Sequence, residues 1–412
     1  MTRQLELIPS FAEDDWQQKK LSKPSNTISV ATLFSGIGAV EHALKRLKLK
    51  SKIVFAGDID RHVKDAYFAN HDLDPHDWHD DVTDFSAKKY KGKVDLLVGG
   101  SPCQSFSMAG KRAGLDDTRG TLFYDFVRVI KESNPKIFVF ENVRGLLNHD
   151  KGNTWAVMKI VFDGLANYSW SFKILNSVNY GVPQSRNRLF VVGIRKRILG
   201  VRNANKPFLF PQPIELNKSM QDFLEDHIDS SYYMGEKGVK FVTKIKNQQK
   251  HYTQINGEIA LCQKANQQTN WHGDFIFEEV ENKLNFDEFI FGVKQVEKKY
   301  YLSETVKKYV LSSGTKNYKA APGTDPEIAR TLLQSMHKMH RSGVDNYVSH
   351  KGRLRRLTPR ECLRLMGFRD SFKIAISDTQ TYRQAGNSIV VDVLIALLKQ
   401  IDISQYGRKH TE

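Results

Sequence analysis

The chain has 412 residues, of which 40% are hydrophobic and 26% charged, as in a globular protein of roughly two domains. Its formal net charge of +16 fits a polyanionic partner, although a generally basic soluble protein has the same balance. The three cysteines, Cys103, Cys262 and Cys362, argue against a disulfide framework, and no Cys/His cluster has zinc-site spacing. We expect neither a signal peptide nor a membrane-spanning segment, since no apolar run is long enough.

Residues 1–26 read as a polar, mobile leader, after which strands and helices alternate. Apolar, β-branched runs predict strands at Ile28–Phe34, Lys52–Ala56, Val94–Val98 and Lys136–Phe140. Helical patterns are predicted at Ala39–Leu47, up to Asn70, from Thr121 and from Asn153. This alternation predicts a parallel sheet that is covered on both faces.

The alternation stops after about Arg197. Residues 200–350 are rich in Lys, Asn, Gln and aromatic residues with weak periodicity, which indicates a separate, irregular domain. A helical pattern returns at Leu357, and an apolar helix is predicted over Asn387–Leu398. The apolar character of that helix suggests that it packs against the first domain, which would then be discontinuous.

A glycine-containing turn, ATLFSGIGA, places Phe34, Gly36 and Gly38 between the first strand and the first helix. Glycines at the carboxyl end of a parallel strand let a ligand approach the backbone, but a structural tight turn has the same composition. Asp58 ends the next strand about twenty positions on, where a carboxylate binds ribose hydroxyls. Together the two features favour a cofactor that contains adenosine.

Cys103 lies in GGSPCQSFSMAGKRAGL, directly after the predicted strand Val94–Val98. Pro102 precedes it and small polar residues follow, so we expect an exposed loop. A thiol near backbone N–H groups favours the thiolate and nucleophilic chemistry. The alternative for a single cysteine is a small buried hydrophobic side chain, which fits Cys262 and Cys362 better than Cys103.

Two further motifs carry groups for acid–base chemistry and anion recognition. In FVFENV, Glu141 follows a buried strand, where apolar walls favour the protonated carboxyl group; a helix cap or turn is the alternative. In YGVPQSRNRLFVVG, alternation places Gln184, Arg186 and Arg188 on one face. Three donors on one face suit an oxyanion, a carbonyl or a phosphate, whereas a solvated edge strand is the alternative.

In chain order the sequence carries FSGIG, an acidic strand end, DVT, GGSPCQSFS, TRGTLF, ENV, QSRNR, RRLTPRECLRLMGF and QAGNSIV. This ordered set closely resembles the motifs of the bacterial cytosine-5 DNA methyltransferases, the type II restriction-modification methylases, over about residues 30–195 and 353–398. The resemblance implies an α/β fold: a Rossmann-like methyltransferase domain with a mixed, mostly parallel sheet, plus a smaller irregular target-recognition domain. It places the catalytic domain at 27–199 and 372–412, and the recognition domain with its hinge at 200–371.

The resemblance also implies a covalent mechanism with S-adenosylmethionine as the methyl donor. Carbon 5 of cytosine is weakly nucleophilic until a thiolate adds at carbon 6, and the family's Pro-Cys nucleophile matches Pro102-Cys103. The family glutamate matches Glu141, which would hold N3 and the exocyclic amine. Arg188 is expected near cytosine O2, and Arg186 beside it, on the base or its phosphate. No side chain stands out as the base that removes the carbon-5 proton.

For the cofactor, the family pattern implies Phe34 against S-adenosylmethionine, Gly36 and Gly38 under it, and Asp58 on the ribose. Further cofactor contacts are expected from Ile59, Asp81, Val82, Pro102, Leu122 and Asn387. Two positions depart from many relatives: Ala39 stands in place of glycine, and Ile59 in place of a larger apolar side chain. No metal is expected.

Stacking hides cytosine in a duplex, so the family flips the base out of the helix. DNA contacts are expected from Gln104, Lys111, Arg112, Gln184, Thr331 and Leu332. The implied partner is double-stranded DNA, whose bases residues 200–350 would read in the major groove within a short specific sequence. Family habit further implies a monomeric, cytoplasmic enzyme that protects host DNA from a separate cognate restriction endonuclease.

Three alternative functions share parts of this pattern. An RNA cytosine-5 methyltransferase shares the fold, but such relatives generally lack so long a recognition region. A catalytically inactive DNA-binding relative would not need intact Cys103, Glu141 and Arg188. A nicotinamide dehydrogenase explains the glycine turn alone and leaves PCQSFS, ENV and QSRNR without a role.

Overall fold

The structure is a computed structural model that describes residues 16–102, 122–200, 206–226, 228–265, 271–278, 314–315, 318–319 and 353–409. The described residues form two compact units. Those of the first unit fall within 1–224, 257–273 and 359–412, and those of the second within 225–256 and 274–358. The first unit is therefore discontinuous in sequence.

A six-stranded sheet forms the centre of the first unit. Its strands are β1 (Thr27–Leu33), β2 (Lys50–Phe55), β3 (Leu96–Gly99), β4 (Ile137–Val143), β5 (Tyr168–Asn176) and β6 (Asn187–Arg195). They lie in the order β2-β1-β3-β4-β6-β5. The first four in that order run parallel, whereas β6 is antiparallel to both β4 and β5. The predicted mixed, mostly parallel sheet of an α/β, Rossmann-like fold is confirmed.

Helices of the first unit follow the strands along the chain. They are α1 (Ala39–Arg46), α2 (Arg61–Phe68), α3 (Leu122–Ser133), α4 (Asn153–Asp163) and the short α5 (Lys196–Leu199). In α3, Phe123, Phe126, Val127 and Ile130 are buried, at the spacing that aligns side chains along one helix face. This face packs with β4, where Phe140 is fully buried, in the main hydrophobic core.

Strand β5 is an element that the sequence analysis did not predict. It lies at an edge of the sheet and pairs only with β6. Phe172 is 42% exposed and Lys173 beside it is also exposed. Because one partly solvated strand mixes polar and aromatic residues, neither a continuous apolar run nor a clean alternation marks it.

The strand order places a switch point between β1 and β3, since the chain runs from β1 outward to β2 and then crosses to β3. In open α/β sheets, ligands bind at the carboxyl ends of the strands beside such a point. Here the loops that leave β1 at Phe34 and β3 at Gly100 meet at that edge. The topology therefore brings the glycine turn and residues 100–102 to one side of the sheet.

The second unit has little regular structure in its described part. Its elements are α6 (Glu236–Val242), α7 (Ile245–Gln249), β7 (Thr253–Ile255), β8 (Gly273–Glu278, which begins at the boundary), β9 (Gly314–Thr315), β10 (Tyr318–Lys319) and β11 (Arg353–Arg356). β8 lies between β7 and β11 in a three-stranded sheet. Val242 and Phe275 form a small core with Val239, Phe241 and Ile255 packed around it.

The chain then returns to the first unit as α8 (Pro359–Leu365), α9 (Asp378–Asn387) and α10 (Val391–Ile401). α10 packs on α1, and Arg46 of α1 forms a two-pronged ion pair with Asp392 at 2.7 and 2.8 Å. The apolar helix predicted from Asn387 therefore starts four residues later, since Asn387 ends α9 and extended backbone at Ser388 separates the two. Among the described residues, Asp378–Ile401 is the one stretch long and apolar enough to cross a membrane, but it is mostly buried, as core helices are.

Residues 16–26, the described part of the segment expected as a mobile polar leader, are held against the first unit. The Trp16 indole is 6% exposed and donates to the carbonyl of Gln212 at 3.0 Å. The Ser22 N–H donates to the Asp402 carboxylate, and the Asn26 amide donates to the carbonyl of Ser404 at 3.1 Å. These hydrogen bonds attach this stretch to the first unit, and the mobility of residues 1–26 stays a prediction.

The compact units also differ from the expected boundaries at 199/200 and 371/372. Residues 206–224, 257–265 and 359–371, expected in the recognition domain, lie in the first unit. Hydrogen bonds explain this: Tyr180 donates to the carbonyl of Pro211, and the N–H of Ala260 donates to the carbonyl of Pro183 at 2.7 Å. The recognition role of the second unit stays a prediction.

Candidate active site

The glycine turn after β1 has a backbone that requires glycine. Gly36 and Gly38 have φ of 54° and 80°, in the left-handed region. A Cβ on Gly38 would also lie 2.1 Å from Nε2 of His71, whose ring nitrogen is 3.1 Å from the carbonyl of Ile37. Ala39, by contrast, is the first residue of α1 and is buried, so alanine there needs no special backbone.

Asp58 is fastened to this turn. Its carboxylate accepts the Gly36 N–H at 3.1 Å on one oxygen and the Asp60 N–H at 3.1 Å on the other. Burial raises the pKa of Asp58, and the two backbone donors oppose that rise. Each carboxylate oxygen has a further lone pair, so the group can still accept hydroxyl donors such as those of a ribose.

Three of the predicted cofactor residues meet in one apolar cluster. Val82 is 8% exposed and belongs to the main core, and Phe34 and Leu122 pack against that core. Asp81 accepts the N–H and the hydroxyl of Thr83, both at 2.8 Å, and these bonds lower its pKa. Ile59 differs: it is 78% exposed.

The carboxyl end of β4 carries an ion pair. Antiparallel pairing places Val143 of β4 opposite Arg188 of β6, so Glu141 and Arg188 lie on neighbouring strands close in register. Glu141 Oε1 lies 3.2 Å from Nε of Arg188, and the two side chains are only 13% and 16% exposed. Burial raises the pKa of Glu141, and the positive charges of Arg188 and Arg186 oppose that rise. A largely desolvated carboxyl group with one cation beside it is suited to hold a polar ring edge.

The segment that leads to Cys103 is packed beside Glu141. A Cβ on Gly100 would lie 2.9 Å from both the carbonyl oxygen and Oε2 of Glu141, so only glycine fits there. Asn142 donates its side-chain amide to the carbonyl of buried Ser101 at 2.9 Å. Pro102 follows and is exposed. The chain is thus fixed up to two residues before Cys103, which itself lies outside the described residues.

Arg186 makes its hydrogen bonds within the protein. It is 3% exposed, and its guanidinium donates to the carbonyls of Gln263 at 3.0 Å, Gly386 at 2.9 Å and Ser388 at 2.8 Å. Burial lowers its pKa to about 10. Both terminal nitrogens thus donate within the protein in this structure, and the expected contact of Arg186 with the base or its phosphate stays a prediction. Arg186 joins β6 to two other stretches of chain.

Gln184 also makes its hydrogen bonds within the protein. It is fully buried, its amide donates to the carbonyl of Leu365 at 2.8 Å, and its oxygen accepts the N–H of Gln263 at 3.0 Å. Gln184 is therefore not exposed to a ligand in this structure, and its expected DNA contact stays a prediction. Because β6 begins only at Asn187, strand alternation does not apply to the residues before it, and the predicted common face is not formed. Of the three, Arg188 alone reaches Glu141 with its guanidinium.

The remaining predicted residues fall at two kinds of place. Asn387 ends α9 and is exposed; Gly386 before it lies against the backbone of Lys264 and Ala265. Five predicted residues besides Cys103 lie outside the described residues: Gln104, Lys111, Arg112, Thr331 and Leu332. Among the described residues, no group of three His, Cys, Asp or Glu side chains could hold a metal. Of the other cysteines, Cys362 is fully buried as expected, whereas Cys262 is half-buried and lies 3.7 Å from the Arg186 guanidinium.

The sequence analysis did not identify the residues that position the site residues by packing or hydrogen bonding. Gly100 and Asn142 stood inside quoted motifs, GGSPC and ENV, but were given no role. A glycine doublet at the end of a buried strand is a signal of close backbone approach that could have found Gly100. The carbonyl of Gln263 accepts a hydrogen bond from Arg186, and no sequence signal marks it, because only folding brings these two residues together.

The family model of the C-5 cytosine-specific DNA methylases matches residues 28–402. The orphan methyltransferase M.SPRI of Bacillus phage SPR is 32% identical, over 93% of this chain and 99% of that protein. The type II methyltransferase M.HpaII of Haemophilus parainfluenzae is 30% identical, over 90% of this chain and 87% of its own.

Solved structures support the fold. The S. pombe Dnmt2 methyltransferase is similar with a TM-score of 0.54 and 20% identity, over 90% of this chain and 97% of that one. A mutant of Spodoptera frugiperda DNMT2 has a TM-score of 0.57, again at 20% identity, over 91% and 99%. The family match covers the glycine turn, the Glu141–Arg188 pair and the returning helices alike. The chain therefore belongs to the C-5 cytosine-specific DNA methylases and is a DNA cytosine-5-methyltransferase.

Proposed function

We propose that this enzyme methylates carbon 5 of one cytosine in a short specific sequence of double-stranded DNA, through a covalent adduct between Cys103 and a flipped-out base. The buried Glu141–Arg188 pair carries the proposal. It lies at the carboxyl edge of the sheet, and Gly100 brings the chain that leads to Cys103 into contact with Glu141. A nucleophile, a carboxyl group and a guanidinium at one place suit attack on a polar heteroaromatic ring.

S-adenosylmethionine is the co-substrate that fits the glycine turn. Gly36 leaves open space where a Cβ would stand, and the Asp58 carboxylate beside it retains capacity for ribose hydroxyls. Phe34, Val82 and Leu122 offer an apolar surface for the adenine, and exposed Ile59 would be covered by it. The co-substrate supplies an electrophilic methyl group. The described residues bind and orient it, and Asp81, which precedes Val82 in the chain, is assigned to the same contact.

The chemistry at the base follows from the three side chains. The Cys103 thiolate forms a bond to carbon 6, and the electron pair of the 5,6 double bond moves toward carbon 5 and the N3 side of the ring. A protonated Glu141 donates a hydrogen bond or its proton to N3, which its raised pKa favours. Arg188 donates to O2 and stabilises the added charge. After the methyl group is attached, a water molecule accepts the carbon-5 proton, the 5,6 double bond re-forms, Cys103 leaves as the thiolate, and any proton taken up by N3 returns to Glu141.

Base flipping is proposed because carbon 6 of a stacked cytosine is not accessible to a thiol. Recognition of the surrounding sequence is assigned to the second unit and to Thr331 and Leu332. The loop with Gln104, Lys111 and Arg112 would contact the target strand. We further propose a monomer in the cytoplasm, and the type II name of relatives such as M.HpaII supports a role in protecting DNA from a cognate endonuclease.

The mechanism is tested with duplex DNA and methyl-labelled S-adenosylmethionine. Cys103→Ser should lose labelled product while it still binds duplex DNA, because the hydroxyl is a much weaker nucleophile than a thiolate. Cys262→Ser is the matched control, since it removes a thiol from the first unit without touching the proposed nucleophile, and should keep most of its turnover. A duplex with 5-fluorocytosine should trap a stable adduct with the unmodified chain.

Two results would contradict the proposal. One is a Cys103→Ser enzyme that retains most of its turnover, and the other is methylation of RNA transcripts without methylation of duplex DNA. Bisulfite sequencing of DNA from cells that express the chain would then give the modified sequence. Methylation spread over all cytosines would contradict sequence specificity.

A further inference from the structure

The amino-terminal edge of the main sheet carries a surface of one charge sign. We define the amino-edge patch as Lys23, Lys50, Lys52, Lys91, Lys93 and Lys409, all of which are exposed. None of the six forms an ion pair with a residue that the structure describes. On the surfaces of ordinary soluble domains, positive and negative side chains are interspersed. A cluster of lysines alone therefore needs a physical explanation.

Strand register places these lysines side by side. Thr27 at the start of β1 pairs with Lys50 on one side, and Ser29 pairs with Lys52. On its other side Thr27 forms an antiparallel bridge with Arg408. The Arg408 guanidinium in turn donates to the carbonyl of Gly92 at 2.8 Å, which brings Lys91 and Lys93 to the same edge.

Acidic side chains are nearly absent from this edge. In residues 19–27, 48–52, 88–95 and 404–409 the one carboxylate is Asp95. It is fully buried, accepts the Ser29 N–H at 2.8 Å and pairs with Lys136 at 2.8 Å. Asp402, just outside these ranges, accepts the N–H of Ser22 and the hydroxyl of Ser404. Glu132 lines the same depression as Lys91 and pairs with Arg128 at 3.4 Å. Six lysines with these two carboxylates at the margin leave the patch with a net positive charge.

Protection of a sheet edge explains part of the patch only. Lysines on an edge strand discourage pairing with another chain, and β2, with Lys50 and Lys52, is such a strand. Lys91 and Lys93, however, precede the central strand β3, and Lys409 follows the bridge to β1. Lysines at the ends of internal strands do not protect an unpaired sheet edge. We therefore consider that they bind a polyanion.

We propose that the amino-edge patch binds a second segment of duplex DNA, distinct from the one whose cytosine enters the active site. β1 separates the patch from the glycine turn by roughly 20 Å, at about 3.3 Å per residue, so the two sites face opposite ends of the sheet. Lys50, Thr27 and Arg408 span roughly 10 Å across the strands, a length over which a duplex presents about six phosphates. Duplex DNA is the polyanion that the family membership already brings to this chain.

This proposal goes beyond the catalytic function, and its test uses duplexes without cytosine. In the unmodified full-length protein, a donor-labelled and an acceptor-labelled dA·dT duplex should be bridged, giving energy transfer at concentrations where light scattering reports a monomer. Lys50→Gln combined with Lys93→Gln should abolish the transfer. The variant should also lower the slope of log affinity against log salt by about 1.8, at about 0.9 per lost phosphate contact.

The matched control is Lys159→Gln with Lys173→Gln, which removes two exposed lysines outside the patch. It should bridge duplexes as the unmodified protein does, and both variants should keep the kcat/KM of the unmodified protein on a short duplex. Equal loss of bridging in the two variants would overturn the proposal. So would a patch variant that keeps duplex bridging but loses affinity for RNA or for anionic vesicles. Failure of methylation itself would not alter the bridging readout, so the two proposals fail separately.

Discussion

Replacing Arg186 by methionine separates the role that the structure gives it from the role predicted from its motif. The guanidinium donates to three backbone carbonyls at 2.8–3.0 Å in a site that is 3% exposed. In Arg186→Met these carbonyls lose their donors. Removing one partner of a buried charged network typically costs about 3–5 kcal/mol, out of a total stability of about 5–15 kcal/mol. We expect a folded protein that is less stable by about that amount in urea denaturation.

Activity should fall as well, because Arg188 lies two residues on in the same segment. Displacement of a reacting group by about 1 Å can cost about 10²-fold in rate, so kcat should fall by up to that factor while KM for DNA changes little. Arg186→Lys keeps the charge but not the planar fork, and we expect an intermediate loss of stability. If Arg186→Met instead kept its stability to within 1 kcal/mol and lowered the salt slope of DNA binding by about 0.9, it would contact a phosphate and the assignment would be wrong.

Two further predictions concern packing and pH. Gly100→Ala should lower kcat by about 10²-fold and the free energy of unfolding by about 1–3 kcal/mol, because the new Cβ would lie 2.9 Å from Glu141. Gly145 has open space where a Cβ would stand, so the control Gly145→Ala should change neither methyl transfer nor urea denaturation. Burial, then the charge of Arg46, lowers the pKa of His42 to about 4, and His42 accepts the N–H of Arg369 at 3.1 Å in its neutral form. Since the folded pKa lies below the unfolded value of 6.5, this stability is present above pH 6.5 and is lost as pH falls toward 4, by about 2 kcal/mol after allowance for screening. His42→Gln should flatten that part of the stability profile, and an unchanged slope would contradict the linkage.

Much of the fold was predictable because it depends on local pattern. Buried parallel strands such as β3 and β4 are continuous apolar runs, and α3 has its apolar residues at helical spacing, so each element is visible within a short window of sequence. The edge strand β5 was not visible, because partial solvation removes the pattern. The compact units differ from the expected domain boundaries because residues 257–265 join the first unit through hydrogen bonds to residues 183–186, far away in the chain.

The sequence by itself determined the family, the order of the motifs and the chemical types at the site: a thiol, a carboxyl group and arginines at strand ends. These follow from residue identity and spacing along the chain. Only the tertiary structure decided which of the polar side chains face the site. Gln184 and Arg186 stand in the same motif as Arg188 and carry similar donors. Their side chains, however, are hydrogen-bonded to backbone groups of Leu365, Gln263 and residues 386–388. Whether a donor is free to meet a substrate depends on which distant carbonyls the fold brings within about 3 Å, and no local pattern encodes that.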